Sequence, residues 1–147
     1  MGIFDSMKIS ATALAAQRLR MDVISNNMAN QQTTRTPDGG PYQREQVVMS
    51  SLSTGGPQFA SFMPSEVSSS DGKGVAVVAI VKDQTPGVVA YDPNNPDADA
   101  NGNVTYPNVD VATEMTDMLS ATRSYEANTT VFNALKGMAL KALEIGK

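Results

Sequence analysis

The stretch SNNMANQQTTRTPDGGPYQRE, residues 25–45, contains three asparagines followed by a turn-forming TPDGGP segment. Asparagine suits a helix interior poorly, but its short amide is useful at helix ends, where it bonds to backbone groups. The stretch therefore predicts the end of a long N-terminal helix and a turn into a different structure. Asn26, Asn27 and Asn30 are predicted to cap the last carbonyls of that helix and to bond to neighbouring backbones.

The helix itself is predicted upstream of this turn, because residues 3–33 contain no Gly or Pro. Spacings of four and three residues alternate along one stripe, as on the apolar face of a helix. A second line beside it widens the apolar surface to about half of the circumference, more than one partner helix can cover. The stripe consists of Ile3, Met7, Ser10, Leu14, Gln17, Met21, Ile24 and Met28, and the second line of Ile9, Ala13, Ala16 and Val23.

Residues 108–146 repeat this design. Asn108 or Asp110 is a candidate N-cap, and Glu114 places negative charge near the positive end of the helix dipole. Gly137 is expected to mark close packing or a bend, because glycine is costly inside a helix. The apolar stripe is Val111, Met115, Met118, Thr122, Tyr125, Thr129 and Phe132, and it then slips by one residue to Leu135, Ala139 and Ala142.

The middle of the chain, residues 35–106, holds all but one of the eight prolines and has short β-branched runs. Strands are predicted at 46–49, 75–81 and 88–91, with turns at 38–41, 71–72 and 86–87 and a Ser-rich loop near 65–71. The predicted fold class is α+β, in which long N- and C-terminal helices pair as a coiled-coil-like hairpin around a small β-rich domain. Its segments are 1–34, 35–106 and 107–147.

Composition excludes several classes of function. The 147 residues include no Cys and no His and carry a net charge of −4, which argues against thiol or histidine catalysis and against nucleic acid as a partner. No apolar run approaches the roughly 20 residues that a membrane span needs. The N-terminus lacks the pattern of a cleaved secretory signal. We therefore expect no enzyme, no cofactor, no metal and no membrane insertion, and any export must leave the N-terminus uncleaved.

One motif offers an alternative. Asp97, Asp99, Asn101 and Gly102 match the first half of an EF-hand calcium loop. The twelfth position, however, is Asn108 where the bidentate glutamate should be, and no helix precedes the segment. A hydrogen-bonded Asp/Asn/Gly turn is the simpler interpretation, and a calcium-responsive regulator built on a helical hairpin is the rival.

Several segments resemble a known family. LAAQRLRMDVISNNMAN at 14–30 resembles the N-terminal signature of the bacterial flagellar axial proteins, the rod and hook subunits. Four further segments resemble the proximal rod branch of that family, so the match frames most of the chain. They are TTRTPDGGPYQR at 33–44, YDPNNPDADANGNV at 91–104, YPNVD at 106–110 and ATRSYEAN at 121–128.

The resemblance implies a structural subunit of the flagellar basal-body rod in the periplasm, which serves motility. Such subunits are exported unfolded through the flagellar type III apparatus and polymerise with themselves and with other rod proteins. Their terminal helices form the inner layer of a tube, and the β-rich domain lies outside. The subunit-interface residues are then expected to be Met7, Leu14, Met21, Ile24, Met28, Asn26, Asn27, Asn30, Val111, Met115, Met118, Tyr125, Asn128, Phe132 and Leu135.

Two further expectations accompany this interpretation. Another rod or hook subunit of the same family is the nearer alternative to a proximal rod protein. The terminal helices are expected to be poorly ordered in a lone subunit, because isolated helices gain little from intrinsic propensity and need packing partners.

Overall fold

Two long terminal helices enclose a region of short strands, so the α+β prediction is confirmed. The computed structural model describes residues 2–37, 39–52 and 74–145. The predicted Ser-rich loop at 65–71 and the turn at 71–72 lie outside the described residues. The elements are α1 (Ile3–Ala29), β1 (Glu45–Ser51), β2 (Val75–Lys82), β3 (Val89–Tyr91), β4 (Asn103–Thr105) and α2 (Val111–Ile145).

Helices α1 and α2 pack antiparallel as a hairpin. Asn27 contacts Glu114 at one level, and Met21 contacts Thr122 further along, so the residue numbers rise on one helix as they fall on the other. With 27 and 35 residues, the helices are about 40 and 52 Å long. Continuing the register places the first residue of α1 opposite roughly residue 139 of α2, so the last turns of α2 extend beyond α1.

The β1–β2 ribbon lies along α1 rather than apart from the helices. The strands pair antiparallel from Glu45 with Lys82 to Ser51 with Val75, and both contact α1. Asn27 bonds to the Glu45 end of the ribbon, and the Thr12 hydroxyl accepts the Val75 N–H at the other end, at 3.2 Å. The ribbon therefore covers the second apolar line of α1, so the chain itself supplies the extra partner that this wide helix face requires.

Gly74 makes the close approach of β2 to α1 possible. Its φ of +121° lies in a region that favours glycine. A Cβ atom at this position would lie 2.3 Å from Thr12 Oγ1. With any larger residue, the Thr12 side chain or the start of β2 would therefore have to move.

The β3–β4 pair forms a second, separate ribbon. β4 was not predicted, because a three-residue strand with one apolar side chain carries no alternation signal. Val104 nevertheless pairs with Ala90 and is buried. Within the described residues, this ribbon contacts no other helix or strand, and Asp97 in its loop accepts a hydrogen bond from the Thr34 hydroxyl at 2.7 Å.

Gly137 lies inside the continuous helix α2. Apart from its own helix backbone, no atom of the described chain lies within 4 Å of the position that a Cβ would take. Close packing within the chain therefore does not explain this glycine.

None of the described helices carries a segment that is both long and apolar enough to cross a membrane.

Candidate assembly site

Asn27 is the centre of the contacts at the closed end of the hairpin and is 1% exposed. Its Oδ1 accepts hydrogen bonds from the Glu45 N–H at 3.0 Å and the Tyr42 hydroxyl at 2.9 Å. Its Nδ2 donates to the Glu45 carbonyl at 2.8 Å and to Glu114 Oε2 at 3.1 Å. Both donors and both acceptor positions of the amide are thus used within the chain.

Glu114 is a buried carboxylate, 0% exposed. Arg44 Nε donates to its Oε1, and Arg44 Nη2 also lies 3.5 Å from Asp117 Oδ2. A buried charge is tolerable only when it is paired and hydrogen-bonded, and here Arg44 and Asn27 satisfy one oxygen each. We refer to Asn27, Tyr42, Arg44, Glu114 and Asp117 as the base cluster.

The base cluster joins segments that are distant in sequence. It connects the last turn of α1, the strand that leaves the GGPY turn and the first turns of α2. The Arg44 backbone N–H also donates to Asn108 Oδ1 at 3.1 Å. A cleft of about 290 Å³ opens beside the cluster and is lined by Arg20, Val47 and Thr113, among others. The cluster therefore fixes how the two helices and the ribbon meet.

Tyr42 couples the cluster to pH. Burial raises the pKa of its hydroxyl, and the nearby charges of Glu45 and Glu114 raise this pKa further. Folding therefore favours the neutral phenol. The free energy of folding that this preference contributes is fully present below about pH 10, the pKa of a tyrosine in the unfolded chain. It is lost as pH rises through the higher pKa that Tyr42 has in the folded chain.

Tyr42→Phe is expected to lower the free energy of unfolding by about 0.5–1.5 kcal/mol at neutral pH, because the hydrogen bond to Asn27 is lost. The variant should also lose less stability than the wild type above pH 10. Urea denaturation at pH 7 and pH 11, followed by circular dichroism, measures both effects. Tyr91→Phe is the matched control, since Tyr91 is exposed. Equal stability losses in the two variants would contradict the prediction.

Of the three asparagines predicted to cap the last carbonyls of α1, Asn30 alone donates to one of them, whereas Asn26 donates to the Tyr42 hydroxyl and Asn27 to Glu45 and Glu114. Asn30 ends α1, and its Nδ2 donates to the Asn26 carbonyl at 3.0 Å. Of the two candidate N-caps of α2, Asp110 accepts the Ala112 and Thr113 N–H groups, both at 3.3 Å. The hydrogen bond from the Thr113 hydroxyl is the main cause that lowers the pKa of Asp110. Bonds from these asparagines to neighbouring subunits stay a prediction.

The predicted interface residues lie mostly along the seam between α1 and α2. Ile24 is buried, Met115 is exposed, and the other apolar members are half-buried. Asn128 donates to the Ser124 carbonyl of its own helix at 2.9 Å. Contact with other subunits through these residues stays a prediction. The half-buried apolar members are Met7, Leu14, Met21, Met28, Val111, Met118, Tyr125, Phe132 and Leu135.

Helix α2 exposes six large apolar residues and buries few others. Its buried residues are Glu114 and Ala121, and none of residues 122–144 is buried. The second half of α2 is therefore the least covered part of the hairpin. Its exposed large apolar residues, with those of the first half, are Met115, Leu119, Val131, Met138, Leu140 and Leu143.

A shallow groove of about 340 Å³ brings two predicted interface residues together. Leu14 on α1 and Tyr125 on α2 line it with Leu19. Arg18 and Asp22 border the groove and are exposed. This groove is an apolar depression on the surface of the hairpin.

The loop that resembles the start of an EF-hand forms hydrogen-bonded turns. Asp99 Oδ1 accepts the Asn101 N–H at 2.8 Å and the Asn103 N–H at 2.9 Å, as in an Asx turn. The carboxylate thus faces its own backbone. Across residues 2–37, 39–52 and 74–145, no group of three or more acidic, His or Cys side chains is arranged to hold a metal ion.

The sequence interpretation missed the roles of Tyr42, Arg44 and Asp117. One signal was available for the cluster. Glu114 lies three residues after Val111 and four before Met118, which places a carboxylate on the apolar side of α2. Such a carboxylate requires a cationic or hydrogen-bonding partner.

Comparisons with known proteins agree on one family. A family model described as "Flagella basal body rod protein" matches residues 7–35, and one described as "Flagellar basal body rod FlgEFG protein C-terminal" matches residues 100–145. The flagellar basal-body rod protein FlgC of Bacillus subtilis is 50% identical over 153 residues, which cover 100% of each chain. That of Borreliella burgdorferi is 46% identical over 149 residues, with 99% of this chain and 98% of the relative covered. That of Salmonella typhimurium is 39% identical over 150 residues and covers 100% of each chain.

Proposed function

The chain belongs to the FlgC family of flagellar basal-body rod proteins and is a structural subunit of the flagellar rod, and on this premise we propose that it polymerises through its terminal helices. Segments 1–34 and 107–147 form the inner layer of the rod, and segment 35–106 lies outside. The partners are other copies of the chain and other rod proteins.

The distribution of exposed apolar surface carries this proposal. None of residues 122–144 of α2 is buried, yet this part of the helix exposes Val131, Met138, Leu140 and Leu143. Val131 and Met138, seven residues apart, share one face of the helix, and Leu140 and Leu143, three apart, share another. Contiguous exposed apolar surface of this kind marks an interaction site. Helices from neighbouring subunits would cover these side chains and stabilise α2.

The proposal extends to how the subunit reaches its place. The subunit crosses to the periplasm through the flagellar type III export apparatus, without loss of an N-terminal signal, and enters the drive shaft of the motile cell. It performs no catalysis. The dense contacts of the base cluster, far from the exposed half of α2, support a passive mechanical role.

A lone subunit should fold only in part. Buried residues are concentrated at the closed end of the hairpin, around Val23, Ile24, Asn27 and Glu114, so the base and the β1–β2 ribbon stay folded at high dilution. The distal halves of the helices lack such partners, and isolated helices of their length are marginal in water.

Circular dichroism of the dilute monomer is therefore expected to show much less helix than the 27 residues of α1 and 35 of α2 together. Helix content should rise on assembly. Hydrogen exchange should show protection at Glu45–Ser51 and rapid exchange in the last turns of α2. Full helix content with strong protection at both termini of the monomer would contradict the proposed assembly mechanism.

A further inference from the structure

The free end of the hairpin, where α1 begins and α2 ends, carries an apolar cluster without a partner in the described chain. Phe4 is 80% exposed and Leu143 is 73% exposed. Leu143 follows Phe132 and Ala139 at spacings of seven and four, so it continues the face by which α2 packs on α1. It is exposed because α1 does not extend that far. We call Phe4, Leu140 and Leu143 the hairpin tip.

The groove lined by Leu14, Leu19 and Tyr125 is an apolar depression that is large enough to accept the side chains of the hairpin tip. Its volume is about 340 Å³. Arg18 and Asp22 border it, and neither has an ion-pair partner among the described residues. The groove therefore offers one positive and one negative group, four residues apart on α1.

The end of α2 carries the complementary pair of charges. Lys141 Nζ lies 2.7 Å from Glu144 Oε2, and both side chains are exposed and pair only with each other among the described residues. Their spacing of three residues spans a distance similar to that of Arg18 and Asp22, since residues three and four apart are neighbours on a helix surface. If the end of α2 from one copy lies antiparallel to α1 of a second copy, Glu144 meets Arg18 and Lys141 meets Asp22.

We propose that the hairpin tip of one copy docks in the groove of a second copy, an inference that rests on the polymerising role proposed above. Leu140 and Leu143 enter the groove, and the two charge pairs set the direction of the helices. Because tip and groove are different surfaces, the contact is heterologous and can repeat from copy to copy.

The contact cannot form within one chain. Leu19 lies sixteen residues along α1 from Ile3, which corresponds to roughly 24 Å. Leu143 lies beyond the Ile3 end of the hairpin, so the two side chains are further apart than that. A covalent link between positions 19 and 143 therefore reports contact between two copies.

The cysteine-free sequence allows a direct test by cross-linking. Chains with both Leu19→Cys and Leu143→Cys are expressed in motile cells, and isolated basal bodies are treated with a mild oxidant. A disulfide requires Cα atoms within about 7 Å. We expect covalent dimers and higher multimers from the double variant and only monomer from each single variant. Leu19→Cys combined with Asn133→Cys, an exposed polar position of α2 outside the proposed contacts, is the matched control and should stay monomeric.

The outcomes separate this inference from the rod role. Monomer only, in basal bodies that contain the double variant, overturns the tip-to-groove contact and leaves the rod role intact. Multimers from the control pair at the same yield also overturn it. Absence of the wild-type chain from the basal bodies overturns the rod role itself.

A charge exchange tests the contact if the cysteine chains fail to incorporate. Arg18→Glu and Glu144→Arg alone should each lower incorporation into rods severalfold. The two changes in one chain should restore it. A double variant as defective as the worse single variant overturns the proposed contact.

Discussion

Glu114→Leu is expected to lower the free energy of unfolding by about 3 kcal/mol, because removing one partner of a buried ion pair leaves the other charge uncompensated. Of its two ion-pair partners among the described residues, Arg44 would keep Asp117, which is partly exposed. Asn27 would lose one of its four hydrogen bonds. The loss should be visible as a lower urea midpoint in circular dichroism. Glu126→Leu is the control on the same helix, and this exposed site should change the stability by less than about 0.5 kcal/mol.

A double-mutant cycle identifies the cause of that loss. Replacing a buried ion pair by apolar residues of similar size is often close to neutral. Glu114→Leu with Arg44→Met should therefore regain a large part of the stability that Glu114→Leu alone loses. If the losses of the two single variants simply add, the residues are not coupled, and the base cluster is not the unit that we describe.

The origin of this cluster shows where sequence reasoning ends. The helix, its N-cap and the position of Glu114 follow from local spacing and capping chemistry. The partner does not, because Arg44 is 70 residues away in the chain and no periodicity links the two. Local patterns indicate that a group needs a partner, and only the packed chain identifies it.

For α1, too, the sequence indicates that a partner is needed but does not identify it. Its apolar stripes predict a face too wide for one helix, and the structure agrees. In the structure, half-buried Val47 and Met49 alternate with exposed residues along β1, although the apolar run Val47-Val48-Met49 shows no such alternation in the sequence. Neither pattern states that the two faces cover each other. Gly74 is explained only by the packed chain: its positive φ just before β2 already favours glycine, and Thr12 also lies directly against it.

Leu14→Asp and Tyr125→Asp are expected to reduce incorporation into rods at least tenfold while leaving the β1–β2 ribbon folded. Both side chains are half-buried on the hairpin and line the same groove. A charge there becomes desolvated when a neighbour covers the groove, which costs several kcal/mol unless it finds a partner. A loss of about 1.4 kcal/mol at one contact already weakens that contact tenfold. Repetition of the contact along a polymer multiplies this effect.

The expected loss of incorporation is measured in two ways, as cell motility and as the amount of the chain in isolated basal bodies. Ala11→Asp and Ala127→Asp are the matched controls, because they add the same charge at exposed positions of α1 and α2 outside the groove. Hydrogen-exchange protection of Glu45–Ser51 in the purified variants distinguishes an assembly defect from unfolding. Since the base cluster lies at the closed end of the hairpin, this protection should be unchanged in Leu14→Asp and Tyr125→Asp. Rods that incorporate both variants at the wild-type level would mean that the groove faces solvent in the assembled shaft, and that the contacts between subunits lie elsewhere on α2.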